Sequence, residues 1–129
     1  MGESMKKILL SVVLVMLLAQ AGFCRASEVD NVVSKATKEG KVVMLELGSA
    51  GCIPCEQMKP VMEKLRKNYG GKLEVFFVDV RKDRGAAGRF GVYTIPTQVF
   101  IDNKGKEFSR HIGYFPYEEI APVLKEAGL

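Results

Sequence analysis

The run Val42–Val43–Met44–Leu45–Glu46–Leu47 is apolar at every position but one. It is β-branched at its start and shows no polar alternation, so it reads as a buried strand of a parallel or mixed sheet, covered on both faces. The surrounding chain supplies the cover. Before it, Glu28 to Lys38 places Val29, Val32, Val33 and Ala36 at helical spacing, and Gly40 stops the helix. After it, Gly48–Ser49–Ala50–Gly51 reads as a flexible loop. A helix is then expected from near Cys52 to about Asn68, with Met58, Val61, Met62 and Leu65 on its apolar face and Gly70–Gly71 at its end. Pro60 lies inside this helix and is expected to kink it, since it removes a donor and crowds the preceding turn.

Leu73 to Val80 is a second strand, and Arg81 to Arg89 leaves room for one short helix ending near Gly91. Thr97–Ile101 and Lys106–Ile112, joined by the turn Asp102–Gly105, form a hairpin. Pro116 starts a last helix, with Ile120, Val123 and Leu124 inward. The order α-β-α-β-α-β-β-α describes an α/β domain. A βαβ unit and a β-hairpin share one central mixed β-sheet of about four strands, with helices on both faces.

The first 26 residues stand apart. Lys6 and Lys7 precede an apolar run from Ile8 to Ala19, broken only by Ser11, and Cys24–Arg25–Ala26 offers small residues where a signal peptidase cleaves, before Ser27. The expectation is a signal peptide over 1–26, a domain over 27–129, and a protein exported to the periplasm. The run is short for a membrane span of about 20 residues. An uncleaved membrane anchor and a lipid-anchored form through Cys24 are the alternatives. Without Lys6, Lys7, Arg25 and Glu3, the formal charge of +4 falls to 16 basic against 14 acidic side chains. With no basic stripe interleaved with aromatics, no nucleic-acid partner is expected. A monomer is the default for a domain of this size.

Of the three cysteines, only Cys52 and Cys55 lie in the expected domain. A bridge closing so small a loop stabilises a fold little, so a purely structural role is a poor account of the pair. Disulfide exchange needs a thiolate, whereas a free cysteine has a pKa near 8.5. The unpaired N–H groups and partial positive charge of a helix N-terminus favour the anion. Cys52, at the expected helix start and after a glycine-rich loop, is therefore the candidate nucleophile. Cys55, one turn further in and more buried, is the candidate resolving thiol. Pro54 costs little there, because first-turn donors are unpaired anyway. Zinc needs four ligands, and the domain offers two cysteines and His111, leaving only a site shared between two chains. Glu56 stands where a c-type haem site needs histidine, and an iron–sulfur cluster lacks two of its four cysteines. No metal is expected.

Together these features resemble the thioredoxin family from about Glu28 to the C-terminus. The strand Val42–Leu47, Cys52–Ile53–Pro54–Cys55, Pro60 in the following helix, Phe90–Gly91–Val92–Tyr93–Thr94–Ile95–Pro96–Thr97, and the closing hairpin and helix carry the resemblance. It implies a thioredoxin fold. It also implies a thiol–disulfide oxidoreductase that needs no cofactor beyond the redox-active Cys52–Cys55 disulfide itself. Pro96 is then cis and faces the cysteines, presenting the Ile95 backbone to an extended substrate; a trans proline opening a strand is the plain alternative. Substrate contacts are implied at Gly51, Ile53, Pro54, Ile95, Pro96 and Gly113. Glu46 falls where the family carries a buried acid beneath the second cysteine, and is the candidate proton acceptor for Cys55; a glutamate at a strand edge facing water is the alternative.

Several residues depart from the family pattern. Glu46 is not the usual aspartate, Gly51 replaces the usual aromatic residue before the first cysteine, and Phe77 falls where a lysine often accompanies the acid. A less apolar substrate rim is therefore expected. The remaining residues read as structure. His111 reads as a surface histidine, Tyr114, Phe115 and Tyr117 as packing at the last helix, Arg81–Arg84 as a solvated helix start, and Met58 and Met62 as core. The function expected is reduction of disulfides in exported proteins by a dithiol recharged from a membrane thiol donor. A disulfide-donating oxidase or isomerase, and a binding module without turnover, are the alternatives.

Overall fold

The computed structural model describes residues 2–18 and 26–129. Helix α1 (Glu3–Leu18) is followed by α2 (Glu28–Lys38), β1 (Val42–Gly48), α3 (Ile53–Tyr69), β2 (Leu73–Asp79), α4 (Arg84–Arg89), β3 (Thr97–Ile101), β4 (Glu107–Ile112) and α5 (Tyr117–Glu126). After α1, this is the order expected from the sequence. The apolar N-terminal run lies mostly in α1, where Ile8, Leu9, Leu10, Val12 and Val13 are exposed. Among the described residues no helix is long and apolar enough to cross a membrane. Cys24 and Arg25, of the expected cleavage site and lipid anchor, lie outside the described residues.

The sheet runs β2-β1-β3-β4, with β1 parallel to β2 and antiparallel to β3, and β3 antiparallel to β4. The most apolar strand is thus central, and every residue of β1 is buried. Alternation splits its side chains between two cores. Val42 and Met44 pack with Met58, Met62, Leu65, Phe100, Ile120 and Leu124 beneath α3 and α5. Val43, Leu45 and Leu47 pack with Val29, Ala36, Val78, Val99 and Ile101 toward α2.

Local chemistry sets the helix ends. Ser27 Oγ accepts the Asp30 N–H at 3.3 Å, and the Asp30 carboxylate accepts the Ser27 N–H at 3.2 Å, a reciprocal cap that starts α2. Asp83 caps α4 by accepting the Ala86 N–H at 3.1 Å, and Arg89 bridges back to Asp83 at 2.7 Å and to Ser27 Oγ at 2.9 Å. Helix α3 continues through Pro60 to Tyr69.

Four local expectations are corrected. Gly48 belongs to β1 rather than to a loop. The run Arg81–Arg84 does not open a helix, since α4 begins only at Arg84 and Arg81 lies in the preceding turn. His111 is half-buried, its ring stacked on Phe115 at 3.9 Å between centroids. Of the aromatics at the entry to α5, Phe115 is core and Tyr117, the first residue of the helix, packs against that core, but Tyr114 is exposed.

Candidate active site

Cys52 and Cys55 form a disulfide with a Cα–Cα distance of 5.2 Å. Cys52 is the N-cap of α3. Its backbone is extended, and its Sγ accepts the Cys55 N–H at 3.4 Å, so the sulfur sits where the first helical donors point. Pro54 occupies the first turn, where its missing donor is not needed. Cys55 is only 2% exposed, whereas Cys52 is half-buried and Ile53 beside it projects into solvent. One sulfur is reachable and the other is held inside, as the two roles require.

The approach to Cys52 is a tight loop. Gly51 has φ of +78°, a conformation that side chains rarely adopt. The Ala50 carbonyl accepts a hydrogen bond from the Arg81 guanidinium at 3.3 Å, and the Asp79 carboxylate accepts the Arg81 N–H at 2.9 Å. Arg81 thereby ties this loop to the end of β2. At the end of β1, Gly48 lies against the second cysteine: a Cβ there would stand 3.0 Å from Cys55 Sγ and 3.0 Å from Phe77 Cε2. Glycine in this strand marks the close approach of another segment.

The Ile95–Pro96 peptide bond is cis, as the resemblance implies, and Pro96 is buried. Its position follows from the register. Leu47 pairs with Thr97, so the next positions outward on the two strands are Gly48 and Pro96. The proline therefore borders the residue that touches Cys55. The Gly113 N–H donates to the Pro96 carbonyl at 2.8 Å, and Gly113 itself has φ of +96°. Gly51, Cys52, Ile53, Pro54, Pro96 and Gly113 thus gather at the carboxyl end of β1, the end where open α/β sheets place their sites.

Glu46 is fully buried, which removes the strand-edge alternative. It lies between Phe77 on β2 and Gln98 on β3, two residues before Gly48 on the same face of β1. Along the strand that is roughly 6.6 Å from the contact with Cys55. Burial pushes its pKa up to about 8, and the Gln98 amide opposes the rise. Neither carboxyl oxygen has a hydrogen-bond partner.

Exposed apolar side chains remain around the site although Gly51 replaces the aromatic residue. Ile53 is 75% exposed, Tyr93 98%, Ile112 61% and Tyr114 46%. Tyr93 lies in the segment leading to Pro96, and Ile112 pairs with Thr97 next to Gly113. Gly51 stands before Cys52 in place of an aromatic residue, while Ile53 beside it and Tyr93 and Ile112, near Pro96 and Gly113 in sequence, are exposed. Three further residues were not singled out from the sequence: Gly48, Arg81 and Gln98. The signal for Gln98 was present, since it interrupts the apolar strand Thr97–Ile101 just as Glu46 interrupts Val42–Leu47.

Residues 29–128 match the family described as thioredoxin-like domain. Thioredoxin from Bacillus subtilis is 31% identical over 97 residues, which cover 75% of this chain and 91% of that protein. Thioredoxin 2 from Chlorobaculum tepidum is also 31% identical over 97 residues, covering 75% and 88%. The structure of Fasciola hepatica thioredoxin superposes with a TM-score of 0.67 at 26% identity, over 79% of this chain and 95% of that one. With the half-buried Cys52 at a helix start, the buried Cys55 and the cis proline beside them, these likenesses establish that the chain belongs to the thioredoxin family of thiol–disulfide oxidoreductases.

Proposed function

We propose that the protein is exported and reduces disulfides in exported proteins, with Cys52 as nucleophile, Cys55 as resolving thiol and Glu46 as proton acceptor. The observation that carries the roles is the placement of the two sulfurs: Cys52 caps α3 and is half-buried, and Cys55 is buried against Gly48.

The steps follow from that placement. The Cys52 thiolate attacks one sulfur of a substrate disulfide. A mixed disulfide forms, and the first substrate sulfur leaves as a thiolate. The Cys55 thiol then gives its proton to the Glu46 carboxylate and attacks Cys52 Sγ. The Cys52–Cys55 disulfide forms as the second substrate sulfur leaves. The substrate gains two electrons and the enzyme pair loses them, so the oxidised protein must be recharged by a dithiol. For an exported protein, that donor is a membrane thiol carrier. An extended substrate segment would lie beside Ile95 and Pro96, with Gly51, Ile53, Pro54 and Gly113 around it.

Export is supported by Lys6 and Lys7 at the start of α1 and by the exposed apolar residues that follow them. Export would place the Cys52–Cys55 pair in a compartment where disulfides persist.

Cys52→Ser should abolish reduction of an insulin-type disulfide, while Cys55→Ser should accumulate a mixed disulfide through Cys52. Retained turnover in Cys52→Ser would sink the assignment of roles. Equilibration of the protein against glutathione tests direction. A reduction potential near about −270 mV fits a reductase, and one near about −120 mV makes the protein a disulfide donor instead.

A further inference from the structure

The carboxyl oxygens of Glu46 and the amide oxygen of Gln98 are all buried without hydrogen-bond partners. Orphaned polar atoms in a core are uncommon and costly. Here they belong to directly opposed residues, since Glu46 and Gln98 are register partners across β1 and β3. Opposed residues on neighbouring strands share a face and come within side-chain reach.

Gln98 also faces the substrate side. Its Nε2 donates to the Gly113 carbonyl at 3.0 Å, and the Gly113 N–H donates to the Pro96 carbonyl at 2.8 Å. One amide therefore stands between the buried acid and the wall of the groove at Pro96.

An amide suits that position because it carries both kinds of group. A protonated Glu46 has a hydrogen to donate, and Gln98 Oε1 is free to accept it. An ionised Glu46 can only accept, and the Gln98 amide has a second N–H to donate while the first stays on Gly113. A leucine or valine could serve neither state.

Among the described residues, no other charged side chain is buried beside Glu46. Phe77 faces it from β2 and Gln98 from β3. Helix α3 packs over the same face with buried Cys55, Met58 and Val61, while its Glu56, Lys59, Glu63 and Lys64 are exposed. Phe115, Ile120 and Leu124 close the face from the C-terminal segment, with Glu118 and Glu119 exposed. His111, the register partner of Gln98 on β4, is the next titratable group in the row, and its Nε2 lies 3.2 Å from the Tyr114 carbonyl.

We propose that Gln98 is a positioning residue for proton transfer at Glu46, partnering the carboxyl in both of its protonation states and coupling it to the groove wall through Gly113. This rests on the reading of Glu46 as proton acceptor. It adds the element that lets an acid work in a site where the family's lysine is replaced by Phe77.

The test is Gln98→Met, with Gln98→Leu as a second apolar variant should the first fold poorly. The Glu46 carboxyl is titrated by NMR in the oxidised full-length protein. Mixed-disulfide resolution is followed against pH in the reduced protein. Removing the amide N–H that Gln98 offers to the ionised carboxylate should move the Glu46 titration up by about one pH unit. The alkaline rise in the resolving rate should move by the same amount, with about a tenfold loss near pH 7. In a Glu46→Gln background, Gln98→Met should leave the pH profile unchanged. A Glu46 titration that stays put in a folded Gln98 variant overturns the proposal, whatever happens to turnover. If the titration moves but Glu46→Gln resolves at the parent rate, the Gln98 contact stands, while the acceptor role of Glu46 fails and with it the catalytic part of the proposal.

Discussion

The two faces of the sheet are made from the same strands and differ in what they bury. Toward α2, Val43, Leu45, Leu47, Val78, Val99 and Ile101 form an entirely apolar layer. Toward α3 and α5, the layer contains Val42, Met44 and Phe100, but at the end near Cys55 it carries Glu46 and Gln98, with unpartnered oxygens on both. The first face is a scaffold with no fully buried titratable side chain among the described residues. The second gives up some stability to hold a proton-carrying group behind a thiol. Alternation along β1 separates the two tasks by a single residue, Leu45 from Glu46.

The largest effect expected from this contrast is on the scaffold face. Leu45→Ala removes a fully buried side chain and should cost about 2–5 kcal/mol of stability, at every pH, by denaturant unfolding. A cost that varied strongly with pH would mean the faces are not separate.

Glu46→Gln should behave in the opposite way. The carboxyl of the unfolded chain ionises near 4.5, and that of the folded protein near 8. Between those values the unfolded chain binds fewer protons than the folded one, so the stability of the parent falls as pH rises and levels off above about 8. Glutamine has no such dependence. The variant should therefore gain on the parent by a few kcal/mol between pH 4 and pH 8, the full shift setting a ceiling of about 5 kcal/mol. Parallel stability curves would show that Glu46 is not held neutral by burial.

Gly48→Ala should have the smallest effect on stability and a specific effect on the site. The added methyl meets Cys55 Sγ and the Phe77 ring at 3.0 Å, so one of them must move by a few tenths of an ångström. Overpacking of this kind costs about 1–3 kcal/mol, toward the lower end here because the half-buried Phe77 ring has room to yield. The equilibrium between dithiol and disulfide should shift as well, measured against glutathione. An unchanged equilibrium would place the strain on Phe77 alone.

Much of the molecule is legible before folding is considered. The apolar run Val42–Leu47 announces a doubly covered strand, and Met58, Val61, Met62 and Leu65 announce the helix that covers one side. Cys52 is marked as an N-cap by the loop before it and the helical pattern after it. These are local signals, repeated within a few residues. Gly48 was read as loop because a glycine after an apolar run resembles a strand end, and only the approach of Cys55 gives it another meaning. Arg81 is exposed, as its charge suggests, but its tie to the Ala50 carbonyl is hidden in the sequence because that partner is 31 residues away. Tyr93, Ile112 and Tyr114 could be assigned to core or rim only once their surroundings were known.

The sequence by itself determined the order of helices and strands and the position of the reactive pair at a helix start. Both follow from side-chain periodicity and from the backbone preferences of glycine and proline. Only the tertiary structure decided which strands are neighbours. That choice put β1 in the centre, enclosed Glu46 between Phe77 and Gln98, and set Pro96 beside Gly48. The physical reason is that a strand's neighbours, and so the dielectric and hydrogen-bond partners of a side chain on it, come from pairing between residues 31 positions apart (β1 with β2) and 50 to 58 apart (β1 with β3). No local spacing encodes that pairing.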